Sequence, residues 1–80
     1  MMQLLEFGQR FLNYKAFVQI VNDRNGKVEF VGMFMDCPYR FLRFGNVVRP
    51  EIDSDNNTLV IYITSNSAMY FNTTSHFLEV

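Results

Sequence analysis

Asn25-Gly26 stands between two runs of alternating character, and this reversal constrains the fold more than any other feature of the chain. Asn-Gly tolerates positive φ and suits a tight turn whose twist matches that of the flanking strands. Before it, residues 14–21 read Tyr-Lys-Ala-Phe-Val-Gln-Ile-Val, rich in β-branched and aromatic types. Ala16, Val18 and Ile20 share one face; Lys15, Phe17, Gln19 and Val21 share the other. After it, residues 27–34 alternate again, with Val28, Phe30 and Phe34 against Lys27, Glu29 and Val31. Gly32 marks a bulge or a close backbone approach. The reading is a β-hairpin.

The spacing next predicts a short helix over about 37–43. Asp36 is suited to cap its start, and Pro38 falls in the first turn, where a missing donor is tolerated. Phe41 and Leu42 follow Pro38 at i+3 and i+4 and make one face apolar. Arg40 and Arg43 near the end complement the helix dipole, and Gly45 is placed to stop it. A third strand is expected at 46–49, at an edge or ending at Pro50, which cannot donate to a ladder. Residues 53–57 form a polar turn. A fourth strand, 58–64, is apolar on both sides and suits a central position. Residues 68–72 and 76–80 also look strand-like. Leu4, Leu5, Phe7, Phe11 and Leu12 fit a helical stripe loosely, while Leu5 and Phe7 also fit a strand; a strand or irregular arm is expected over 2–12.

Together these segments predict one α+β domain over 1–80: an antiparallel sheet of four to six strands, curled or barrel-like, with one short helix. Its expected core is Val18, Ile20, Val28, Phe30, Phe41, Leu42, Leu59, Ile61 and Ile63. A chain of this length buries only roughly 60–65% of its unfolded surface. Nine Phe and four Tyr supply that core with aromatics to spare for a surface.

Charge narrows the partners. Seven Lys+Arg against eight Asp+Glu leave a net charge of −1 with the signs interspersed, so there is no global pull on nucleic acid or anionic lipid. No run approaches the ~20 apolar residues of a membrane span, and the N-terminus lacks the basic and apolar regions of a signal peptide. One cysteine, Cys37, makes neither an internal disulfide nor a thiolate-based zinc site and fits a reducing, cytoplasmic setting. Two N-x-[ST] matches, at Asn56 and Asn72, read as chance in that setting.

No catalytic constellation stands out. Cys37 and His76 are each the only residue of their kind, so a nucleophilic pair is available but its spacing carries no information. Asp53, Asp55 and Asn57 begin like a calcium loop, yet Thr58 and Thr64 stand where that loop needs Gly and Glu. The four glycines are too scattered for a phosphate cradle. Asp36, Glu51 and Glu29 are the carboxylates available for acid–base work, with little room for a cleft. No enzymatic activity, cofactor or metal is expected.

Tyr39, Arg40 and Arg43 are the candidate partner-binding residues. On a helix whose inner face is Pro38, Phe41 and Leu42, these three point outward or sideways. Tyr and Arg are enriched at binding hot spots and also suit phosphate contact and base stacking. Arg10 and Arg49 could join them if the fold allows. A sheet edge is the second candidate, because unpaired strand backbone recruits another strand from a twin or a partner. The apolar tail Phe77-Leu78-Glu79-Val80 could serve in that way.

The order of features over about 50 residues, 14–63, carries a resemblance. Tyr14-Lys15-Ala16-Phe17-Val18 leads to the Gly26-Lys27 turn and Phe30-Val31-Gly32. Asp36-Cys37-Pro38-Tyr39-Arg40-Phe41-Leu42 follows, and the 58–63 strand closes the series. This resembles short uncharacterised proteins encoded by bacterial phages and prophages, anti-CRISPR proteins among them. The resemblance implies an inhibitor or accessory factor acting on a host protein, and no functional residue carries over. The functional expectation is a non-enzymatic protein-interaction module. A small nucleic-acid-binding domain using Arg40, Arg43 and exposed aromatics, and a structural subunit self-assembled through sheet edges, stand as alternatives.

Overall fold

The computed structural model describes residues 1–65. The chain forms α1 (Leu4–Phe11), β1 (Phe17–Asn22), β2 (Val28–Met33), a 3₁₀ turn (Phe34–Asp36), α2 (Tyr39–Phe44), β3 (Gly45–Asp53) and β4 (Thr58–Ser65). The strands make one sheet in the order β2-β1-β4-β3. The class is α+β, as the alternation implies.

The hairpin is present, with a longer loop than a two-residue turn. Gly26 N–H donates to Asn22 O at 2.8 Å, and Asn22 N–H donates to Lys27 O at 2.8 Å. The Asn22 and Asn25 side-chain oxygens accept from the Arg24 and Lys27 N–H groups, each at 2.9 Å. Gly26 takes φ 74°, where a side chain would be strained. The β3–β4 turn is built likewise: both Asp53 carboxylate oxygens are bonded by Asn56, one from its amide at 2.8 Å. That bond, with backbone N–H groups of Asn56 and Asp55, holds the Asp53 carboxyl below the usual carboxylate value. The carboxylate serves the turn, and no group of three metal-ligating side chains exists among the described residues.

The sheet corrects the antiparallel expectation. β1 pairs with β2 and β3 with β4 in antiparallel fashion, but β1 and β4 pair in parallel, Val18 with Leu59 through Asn22 with Ile63. Two hairpins are laid side by side, and α2 carries the chain between them. The sheet is open and not barrel-like: β2 and β3 occupy opposite edges. The helices close the core on one face, where a barrel would use its opposite wall. Val18, Ile20, Ile61 and Ile63 of the two central strands are fully buried beneath Leu4, Phe34 and Phe41.

The single-helix expectation is also corrected. Residues 4–11 are helical, not a strand or arm, with Leu4 and Gly8 buried and Glu6 bridged to Arg10 at 3.0 Å. This i,i+4 pair runs in the favourable direction along the dipole. The second helix begins at Tyr39, two residues later than the spacing suggests. Phe34 and Met35 are tied back to the segment just before β1, their N–H groups donating to Ala16 O and Tyr14 O at 2.8 Å. Cys37 N–H then closes the 3₁₀ turn on Phe34 O, so Asp36 ends that turn and caps no helix. Pro38 takes the N-cap position of α2 without a side-chain bond, and Gly45 is the extended first residue of β3. β3 continues through Pro50, which stands in an edge strand where its missing donor costs no ladder bond.

Of the expected core, Val18, Ile20, Phe41, Ile61 and Ile63 are buried, and Phe30, Leu42 and Leu59 pack partly buried against them. Val28 is instead 45% exposed. A bulge shifts the register between Ile20↔Phe30 and Val21↔Val28. A one-residue slip turns a strand side chain to the opposite face. Leu4, Phe34, Cys37 and Val47 complete the core.

Candidate functional site

The three expected binding residues lie together on α2. Phe41 anchors the helix at 2% exposure, and Gln3 holds its end by donating from Nε2 to Arg43 O at 2.6 Å. Met2 and Gln3 also tie onto the start of β3, through Val47 N–H to Met2 O and a bridge to Asn46. With that backbone fixed, the helical period turns Tyr39, Arg40 and Arg43 away from the core. Tyr39 is 66% exposed, and both arginines are exposed. Tyr39 and Arg43 are i,i+4 neighbours; Arg40 and Arg43 are i,i+3 neighbours.

The arginines differ in how their charge is met. Arg10 bonds Glu6, and Arg49 bonds Asp23 and Glu51. Arg40 and Arg43 have no carboxylate within salt-bridge distance among the described residues. Each lies over an aromatic ring instead: Arg40 is 4.5 Å from the Phe41 centroid and Arg43 is 5.3 Å from that of Phe44. A ring quadrupole attracts a cation but leaves its N–H donors available. Arg10 and Arg49 do not join this group as open cations. Arg10 is spent on α1, and Arg49 lies on the far face of the sheet over Tyr62.

The remaining reactive candidates are dispersed. Cys37 is buried, and burial pushes its thiol up to about 12 against the opposing pull of Arg40. It is a protonated apolar side chain at neutral pH. Glu29 on β2 and Glu51 on β3 occupy opposite edges of the sheet, and Asp36 ends the 3₁₀ turn. His76 and the tail 77–80, like the strand-like runs 68–72 and 76–80, lie outside the described residues.

Two further surfaces escape sequence reasoning because strand order is needed to find them. Phe17, Val31 and Met33 are exposed on the face away from the helices, with Phe17 and Met33 directly paired. They border β2, an edge strand. On the helix side, Phe7, Phe11, Leu12, Pro50, Ile52 and Leu59 line an apolar groove of about 580 Å³. No helix among the described residues is long and apolar enough to cross a membrane. Comparison with known proteins finds no matching family model, no matching curated sequence and no matching solved structure.

Proposed function

We propose that this chain is a non-enzymatic protein-interaction module whose α2 face captures an acidic segment of another protein. The role fits a phage-encoded inhibitor or accessory factor acting on a host protein. One observation carries the reading: Tyr39, Arg40 and Arg43 are exposed together while both guanidiniums rest on rings and not on carboxylates. A guanidinium fork matches a carboxylate in bidentate geometry, and a neighbouring tyrosine adds rigid contact area at little entropic cost. In a chain of net charge −1, two such cations on one helix face form a local positive patch.

Fluorescence anisotropy with a labelled peptide rich in Asp and Glu tests the reading, beside a single-stranded oligonucleotide of equal charge. Saturable peptide binding is expected, and Arg40→Glu with Arg43→Glu should abolish it while leaving the melting temperature nearly unchanged. A double variant that still binds the peptide overturns the α2 assignment. Tighter oligonucleotide binding with a steep log–log salt slope also overturns it, in favour of a nucleic-acid partner.

A further inference from the structure

The two edges of the sheet are not equivalent. β3 is blunted: Pro50 lacks a donor, a register shift lies between Val47 and Arg49, and Met2 and Gln3 already pair with its first residues. These are devices that stop strands from recruiting neighbours. β2 carries none of them between Phe30 and Met33. Phe34 N–H points inward to Ala16 O, and the ladder alternation then turns Gly32 and Phe30 inward as well. The backbone groups of Val31 and Met33 therefore face outward, with no described strand to receive them.

The geometry points to a second copy of this chain on that edge, joined β2 to β2 in antiparallel fashion. Charge selects both occupant and direction. Lys27 precedes the strand and Asp36 follows it; both are exposed. Lys27 has only a loose pairing with Glu29 at 3.9 Å, and Asp36 has no ion pair among the described residues. A two-fold axis near Val31 and Gly32 brings the start of each β2, preceded by Lys27, to the end of the other, where the 3₁₀ turn carries the partner's Asp36. The match occurs twice. A parallel mate would set like charge on like. Val31 and Met33 of both copies then continue one apolar strip, together with Phe17, across an eight-stranded sheet. The contact is isologous, and because β3 is blunted at the other edge, assembly stops at two.

Light scattering of the full chain across a dilution series, with amide hydrogen exchange, is the test. The dimer is expected, with the Val31 and Met33 amides protected only at dimer-forming concentrations. Val31→Lys should give a monomer of unchanged melting temperature in the dilute limit. Lys27→Glu or Asp36→Lys alone should weaken association by about tenfold, and the two together should restore it. A strict monomer at high concentration overturns the inference. So does a monomer with these amides protected, which puts another part of the chain on the edge, or an oligomer that Val31→Lys leaves intact.

Discussion

The Phe34 ring lies against the backbone of Gly8, in the space that a Cβ at position 8 would fill. This contact locks α1 onto the 3₁₀ turn that follows β2, and both belong to the buried layer over the central strands.

Gly8→Ala is therefore expected to destabilise the fold although alanine favours a helix. The intrinsic gain is about 0.5–1 kcal/mol. Displacing a buried ring from a filled site costs about 1–3 kcal/mol, so the net change is a loss. Urea denaturation measures it; a higher midpoint for the variant would remove the contact from the account.

Cys37 makes stability fall on the alkaline side. The unfolded thiol ionises near 9.0, while burial holds the folded one up to about 12. The unfolded state sheds this proton first as pH rises. The contribution of Cys37 is intact below about pH 9 and is lost progressively toward about pH 12. Denaturation midpoints at about pH 8 and about pH 10.5 should drop further for the natural chain than for Cys37→Ala. Equal drops would contradict a buried thiol.

Arg49 joins three elements through one side chain. Nη1 bonds Asp23 Oδ1 at 2.9 Å in the β1–β2 loop, Nε bonds Glu51 Oε2 at 3.4 Å, and the guanidinium lies 4.0 Å from the Tyr62 centroid. Arg49→Gln should lower the melting temperature. That difference should shrink at molar salt, which screens the two exposed carboxylate pairs, and a remainder from the Tyr62 stacking should persist. A difference independent of salt would remove the ion pairs from the explanation.

What could be read in the residues followed from range. The hairpin around Gly26 and the strand 58–64 are local alternations, and both are present. The outward aspect of Tyr39, Arg40 and Arg43 needs only the helical period and one buried anchor, Phe41. The parallel pairing of β1 with β4 joins residues some forty positions apart and leaves no local mark. Helix α1 is obscured because Leu5 and Phe7 also fit a strand, and its Gly8 is a poor helix former. That glycine serves a contact with Phe34, which lies far along the chain. Val28 follows the alternation faithfully and is turned outward by a bulge that only the register reveals. The β2 edge could not be singled out before the strand order was known.

The α2 face is tested most directly by titrating the ¹⁵N-labelled chain with the acidic peptide and following amide and arginine side-chain resonances. Saturable shifts are expected at Tyr39, Arg40 and Arg43, and none of these should move when Arg40→Glu and Arg43→Glu are combined. Shifts confined to the sheet, or none at peptide concentrations well above those of the chain, would contradict a binding surface on α2.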